Sequence, residues 1–519
     1  MTKQQNPASA PLHAPFGSYC ETLAMRARET PDKVALRDDA GELTWAQMQD
    51  RVERIAARLV ETGLERGQSV AILGTSSINY ALVFLAAVRA GGVAAPLTTS
   101  ASPAQLEGMA TDSDARHLFI DRAKTAELGD GFLPELTHII LDEELDAWMA
   151  PEGTQAPAHD PQPGDPFNII YSSGTTGTPK GIVHSHAMRW TQFATTGASY
   201  LDAGIEPVSL ASTPLYSNTT MVAFLPVMLA GGTVNIMGKF KTVDWLATAQ
   251  RFAVNVTMLV PVQYQRLMDE PRFDEFDLSA LKLKYCTSAP FSAELKRQVL
   301  DRMPGALIEI YSMTEGGVVC LLYAHEFPDK LHTVGRPSPG SVLKVLDDDD
   351  NEVPVGQPGN LVGWSHTMMS GYKNQPGKTQ DGYWKDPDTG DIWQRMGDIG
   401  RVDADGFVEL VGRAKDMIIS GGFSIFPSDL EAELEKDSRV AEAAVIGVPS
   451  KQWGETPLGF VRLADGVERS EVPDILGRVN NNVGKTQRLS ALHAIEEMPR
   501  SHIGKLLKTE LRAMVAGKS

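Results

Sequence analysis

The sequence predicts an α/β protein: a large N-terminal domain of layered α/β subdomains ending in a β-rich subdomain, then a small α+β C-terminal domain on a hinge. The division falls at residues 1–412 and 413–519. Three observations carry this expectation. Helical and strand-like hydrophobic periods alternate through most of the sequence, the pattern of parallel sheets covered by helices. From Gly335 the texture changes to turns and short strands. Near Gly412-Arg413-Ala414-Lys415-Asp416 it changes again, to a compact helix and strand mixture.

Residues 44–62 set Ala46, Met48, Val52, Ile55, Ala56 and Leu59 at helical spacing, which predicts an amphipathic helix. Residues 69–73 read as a short buried strand, 79–89 as a second helix, and 91–96 as a turn and strand. The run 150–166 is rich in Pro, Gly, Asp and Gln and reads as a surface connection. A second unit of the same kind follows: a strand, a loop over 172–181 that joins two strands of a hairpin, a helix, a strand at 208–212, a helix, and a strand at 233–237. The acidic tip Asp347-Asp348-Asp349-Asp350 reads as a solvated hairpin turn. Nearer the C-terminus, 429–437 is expected to be a helix, 440–448 and 459–463 strands, and 505–516 a final helix.

Composition narrows the function. The 519 residues carry a net charge of −18, which disfavours nucleic acid and anionic membrane surfaces as partners. The three cysteines Cys20, Cys286 and Cys320 are far apart. That argues against a disulfide framework or a zinc site and fits a reducing cytoplasm. Residues 1–20 are polar and lack the basic-then-apolar pattern of a signal peptide. The apolar runs 82–88 and 221–237 are broken by Arg89, Gly91-Gly92, Pro226 and Gly231-Gly232, short of the roughly 20 residues that a membrane span needs. The expectation is a cytoplasmic protein with no stable membrane insertion.

The chemistry begins at Tyr171-Ser172-Ser173-Gly174-Thr175-Thr176-Gly177-Thr178-Pro179-Lys180-Gly181. Such a run buries little apolar surface but offers backbone N–H groups, hydroxyls and one cation, which suit a polyphosphate. It is not a Walker A loop, because Gly181 follows Lys180. Tyr311-Ser312-Met313-Thr314-Glu315 places an aromatic ring for a purine beside a carboxylate for Mg²⁺. Asp398, after Gly397, can accept hydrogen bonds from ribose hydroxyls. Arg413 could bind ribose or phosphate, and Lys505, after Gly504, can bring a charge to developing oxyanions.

Together these runs resemble the adenylate-forming superfamily, and within it the AMP-forming acyl- and aryl-CoA synthetases. The likeness covers about 43–512 and includes Ala90-Gly91-Gly92-Val93-Ala94-Ala95-Pro96-Leu97, Trp453-Gly454-Glu455 and Gly504-Lys505. It implies an acid–thiol ligase with ATP, Mg²⁺ and coenzyme A as cofactor and co-substrates, acting on a small carboxylic acid. A homodimer is left open. By this resemblance Lys505, Thr175, Thr176 and Lys180 are catalytic. Ser172, Ser173, Gly174, Gly177, Tyr311, Thr314, Asp398 and Arg413 bind ATP or AMP, and Glu315 holds the metal. Lys415 is the hinge on which the C-terminal domain rotates, and Gly421, Gly422 and Phe423 form the loop on the CoA side.

The acyl pocket implied by the family involves Tyr216, Ser217, Asn218, Thr287, Ser288, Ala289, Ser312 and Gly316, and here the chain departs from the pattern. Ser217 stands where histidine is usual, Thr287 and Ser288 where smaller residues are frequent, and Ser312 where glycine is usual. Met396 replaces a threonine, and Asn360 lies where glutamate is common. Added Cβ atoms should narrow or shorten the pocket, and buried hydroxyls and an amide should favour a hydrogen-bonding acid. The expected substrate is an aryl or arylalkanoic acid of the hydroxycinnamate or benzoate type. A short or medium aliphatic or alicyclic acid, or the loading of a carrier protein by a stand-alone adenylation enzyme, remains the alternative.

Overall fold

The computed structural model describes residues 6–129, 131–172, 180–420, 423–501 and 504–516. The chain divides into two compact units, one of residues 1–331, 338–341 and 364–394, the other of 332–337, 342–363 and 395–519.

The first unit is built on two sheets. In one, Ala306–Met313, Leu283–Cys286, Val256–Leu259, Val208–Ala211, Thr233–Ile236 and Val34–Asp38 lie side by side and parallel. Gly316–Tyr323 returns antiparallel to Ala306–Met313. The other runs Gly371–Tyr372, Lys180–Ser185, Pro166–Ser172, Val93–Pro96, Ser69–Leu73, His117–Ile120, Thr137–Ile140. Its last five strands are parallel. Its first three are antiparallel, with Tyr171 opposite Gly181 and Ser172 opposite Lys180. The expected hairpin around the glycine-rich run is therefore present at its two strands, while residues 173–179 lie outside the described residues.

Helices Ile78–Arg89 and Asn218–Leu229 are apolar on nearly every face because they share one core with strands of both sheets. In that core Phe84 meets Phe167 and Phe224 at centroid distances of 6.1 and 6.4 Å. Trp45–Glu61 is amphipathic, as its spacing predicts, and begins with a Thr44/Gln47 capping box. Two buried lysines tie down the strands that lead to the site. Lys284 donates to the carbonyls of Met303, Pro304 and Gly305, and Lys296 pairs with Glu309 and donates to the Leu331 carbonyl. Burial lowers the Lys284 pKa to about 8 and raises that of Glu309 to about 6.

In the second unit Ile392–Val402 and Val408–Arg413 form an antiparallel pair that sets Asp398 opposite Arg413. The acidic tip is a turn in which Asp347 Oδ1 accepts from the amides of Asp349 and Asn351, and Asp350 pairs with Arg395. A second sheet runs Phe423–Ile425, Ile418–Ser420, Gly454–Leu463, Val440–Ser450, with Leu492–Ala494 parallel to Gly454–Leu463. Alternation along Val440–Ser450 buries Ala443 and Val445 with helices Pro427–Glu435 and Val472–Asn482, and Ala444 and Ile446 with Leu511 of Lys508–Ala516. The last helix begins at Lys508, three residues later than expected. Leu506 bridges Arg500 and the Leu507 amide donates to the Pro499 carbonyl, so the chain is still extended there. Among the described residues no helix is long and apolar enough to cross a membrane.

Candidate active site

The Thr314-Glu315 turn joins Ala306–Met313 to Gly316–Tyr323, with Met313 opposite Gly316. Gly316 has φ +91°, and a Cβ there would lie 2.2 Å from the Thr367 carbonyl. Only glycine lets this turn pack so closely. The Met369 amide donates to the Glu315 carbonyl at 2.9 Å, and the Ser365 hydroxyl donates to the Gly317 carbonyl. The tip is thus held by backbone contacts and not by propensity alone.

From inside, it is held by two residues that sequence reading assigned no role. Arg189 is fully buried and donates to Asn168 Oδ1 (2.8 Å), Gln192 Oε1 (2.9 Å) and His184 Nδ1 (2.8 Å). It has no carboxylate partner among the described residues, and burial lowers its pKa to about 9. Burial, followed by the Arg189 charge, keeps the His184 imidazole neutral. With Nδ1 accepting from Arg189, the proton sits on Nε2, which donates to the Thr314 carbonyl at 2.7 Å. His184→Leu removes one acceptor and one donor from buried partners. It is expected to lower the unfolding free energy by about 2–4 kcal/mol and to raise KM for ATP. An unchanged denaturation midpoint would show that this chain of bonds does not hold the turn.

Tyr372 sits on the outer side of the same turn. Its hydroxyl donates to Glu315 Oε1 at 2.9 Å, and the Lys180 ammonium lies 4.8 Å from its ring centroid. Burial and the Glu315 carboxylate push its pKa up, so it stays a donor. Tyr171, at the other end of the glycine-rich run, donates to Asp112 Oδ2 at 3.0 Å.

The segments assigned to the acyl pocket touch one another. Ser217 caps helix Asn218–Leu229 and accepts from the Thr219 amide. The Thr219 and Ser288 hydroxyls bond each other, and the Thr287 hydroxyl donates to the Ile310 carbonyl at 2.7 Å. Ser288 has φ +85°, and Ala289 is half-buried in the same turn. Burial raises the Tyr216 pKa, and the nearby Thr98 and Thr99 side chains oppose that shift. Ser312 lies at an irregularity in strand register between Tyr311 and Met313. Thr287 and Ser288 therefore use their hydroxyls within the protein. Asn218 Oδ1 is buried and has no hydrogen-bond partner among the described residues.

In the second unit Asp398 is 7% exposed, and its Oδ1 lies 2.8 Å from Arg413 Nε. Lys505 belongs to the same cluster. Partial withdrawal from water, then the charges of Arg413 and Lys415, lower its pKa, and Asp398 and Asp416 oppose that shift. Gly504, at φ +74°, and the Arg500–Leu506 bridge present Lys505 at the base of a tight turn. Burial also lowers the Lys415 pKa. Glu455 Oε2 accepts from the Ile419 amide at 3.0 Å, on the strand before Gly421. Ser173, Gly174, Thr175, Thr176, Gly177, Gly421 and Gly422 lie outside the described residues, as do the side chains of Ser172 and Phe423.

Residues 23–373 match the family described as AMP-binding enzyme, and 429–505 match the AMP-binding enzyme C-terminal domain. The chain belongs to the AMP-binding enzymes. This AMP-binding enzyme is 32% identical over 94% of its length to a feruloyl-CoA synthase of an Amycolatopsis species, 97% of which is covered. It is 29% identical over 98% of its length to ScoC, a fatty acid–[acyl-carrier-protein] ligase of Streptomyces coeruleorubidus, 98% of which is covered. ATP-bound MatB from Rhodopseudomonas palustris superposes with a TM-score of 0.83 at 28% identity, covering 95% of this chain and 98% of MatB. The AMP-binding enzyme is an adenylate-forming acid–thiol ligase that uses ATP.

Proposed function

We propose that this enzyme activates a ring-bearing carboxylic acid of the hydroxycinnamate or benzoate type and passes the acyl group to coenzyme A. The observation that carries the acid class is the buried, unpartnered amide oxygen of Asn218, since an unpaired buried acceptor costs about 1–3 kcal/mol. A ring hydroxyl is a donor that would satisfy it, whereas a plain acyl chain would not. The relative named a feruloyl-CoA synthase supports the same reading.

In the first half-reaction a carboxylate oxygen attacks the α-phosphorus of ATP, and pyrophosphate leaves. Lys180, with Thr175 and Thr176, holds the β- and γ-phosphates. Tyr311 lies against adenine, Asp398 accepts from the ribose hydroxyls, and Arg413 fixes Asp398. Lys505 bridges the carboxylate and the α-phosphate, so its charge acts where charge develops. Among the described residues no three His, Cys, Asp or Glu side chains are grouped to hold a metal by themselves. Glu315 nevertheless fits Mg²⁺, which takes one or two carboxylates together with substrate phosphates. Its Oε2 accepts no hydrogen bond among the described residues. When bound, the ion supplies neutralising charge beside the phosphates. In the second half-reaction the thiol sulfur attacks the adenylate carbonyl and AMP leaves, with Lys415 as the hinge and Gly421, Gly422 and Phe423 on the thiol side.

The test is pyrophosphate release across ferulate, 4-coumarate, benzoate, phenylacetate and medium-chain fatty acids, with and without CoA, with products identified by mass. Hydroxylated ring acids are expected to give the highest kcat/KM and a CoA thioester. Faster turnover of a medium-chain fatty acid than of every ring acid would overturn the acid assignment. The ScoC relative supports a second reading; thioester formed on a phosphopantetheinylated carrier protein and not on CoA would establish it.

A further inference from the structure

Tyr372 belongs to none of the residues assigned to ATP, metal or acid, yet it touches two of them with different parts of one side chain. Its hydroxyl donates to Glu315 Oε1 at 2.9 Å, and its ring face lies under the Lys180 ammonium at 4.8 Å. Its backbone is fixed independently of both. Tyr372 pairs with Ile182 on the strand that begins at Lys180, and its amide donates to Thr379 Oγ1 at 2.9 Å. The Lys373 amide donates to the Gly181 carbonyl at 2.7 Å. The Tyr372 backbone therefore cannot shift without disturbing the strand that carries the lysine, and the ring is held at its hydroxyl by Glu315 and at its face by Lys180.

We propose that Tyr372 is a positioning residue that sets the metal carboxylate and the phosphate-loop lysine at a fixed separation before nucleotide arrives. The proposal rests on the reading of Glu315 as metal ligand and Lys180 as phosphate ligand. The two contacts divide the work chemically. A hydrogen bond donated to one carboxylate oxygen orients the group and turns the other, Oε2, to a cation. The ring face attracts the ammonium through its quadrupole, which needs no hydroxyl. An ammonium held this way is not neutralised, as it would be by a carboxylate, and keeps its full charge for phosphate.

Because the two contacts use different atoms, two substitutions separate them. Calorimetric titration of the full-length protein with ATP, once in EDTA and once in Mg²⁺, requires no acid substrate. Tyr372→Phe keeps the ring and loses the hydroxyl. It is expected to leave ATP affinity in EDTA within about twofold while cutting the gain in affinity conferred by Mg²⁺ about tenfold, the usual size for a hydrogen bond to a charged group. Tyr372→Leu is expected also to weaken ATP binding in EDTA, about threefold to tenfold. Glu315→Gln and Lys180→Ala serve as references, the first expected to remove the Mg²⁺ gain and the second the metal-free affinity. If both references behave so and Tyr372→Phe matches the wild type, the positioning role is wrong while the site reading stands. If Glu315→Gln retains the full Mg²⁺ gain, the site reading itself fails, and this proposal with it. Should Tyr372→Leu fail to fold, Tyr372→Phe alone decides the matter.

Discussion

Lys505→Ala is expected to slow pyrophosphate release by about 10²–10³-fold while leaving thioester formation from a supplied acyl-adenylate within about threefold. The asymmetry follows from where charge develops. In adenylate formation the α-phosphate gains negative charge as the carboxylate joins it, and a preplaced ammonium is worth most in that state. In thioester formation the leaving group is AMP, and the turn that carries Lys505 has no equivalent task. The turn is built to present the side chain. Arg500 bridges Leu506 and donates to the Gly504 carbonyl at 2.6 Å, and Gly504 takes a left-handed conformation at φ +74°. Single-turnover assays of the two half-reactions check the prediction. Equal loss in both would remove Lys505 from the first step.

Asp398→Asn is expected to lower kcat/KM for ATP by at least about 10-fold, because a hydrogen bond to a charged group is worth about 1.5–3 kcal/mol and the Arg413 side of the pair is open to water. Asp398 also supplies negative charge to a group of cations, Arg413, Lys415 and Lys505. A second, independent signature follows. In the proposed first step Lys505 acts as the ammonium, so adenylation should fail as pH rises through its pKa, which is already below the ordinary lysine value. Asp398 is one of the groups that hold that pKa up. Neutralising it should move the alkaline limb to lower pH, and thioester formation should lack that limb. A limb that stays in place in Asp398→Asn would show that Lys505 does not titrate in the step. Loss of ATP affinity alone would be the result of a ribose contact only.

Much of this was readable from the sequence, for a physical reason. Strands such as 69–73 and 233–237 are largely apolar runs flanked by glycines, and their hairpins and helices are encoded within a few residues. The candidate residues from Tyr311 to Glu315 and at Asp398 sit in equally local patterns. What could not be read depends on partners distant in sequence. His184 acts on the carbonyl of Thr314, 130 positions away, and Tyr372 on Glu315, 57 positions away. Neither residue stands in a run that marks it. The hydroxyls of Thr287 and Ser288 were expected to bear on substrate, but whether a hydroxyl is spent inside the protein depends on the tertiary packing. In the same pocket segments the Asn218 amide oxygen is buried with no hydrogen-bond partner among the described residues. The late start of the last helix has the same cause, since a bridge between Arg500 and Leu506 competes with helix formation in residues whose propensity alone favours it.

Helix Asn218–Leu229 bears on how this protein could change. From Met221 onward nearly every side chain is buried in the core shared by both sheets, Pro226 included, so substitutions there act on folding before they act on anything else. Only the first turn, with its cap at Ser217, carries polar groups. Variation that alters the choice of acid without loss of the fold is thus confined, on this element, to a short run of codons at one end. A library that varies Asn218, the half-buried position of that turn, and leaves the cap Ser217, the buried Thr219 and Thr220 and residues 221–229 intact would sample it at small cost in unfolded variants.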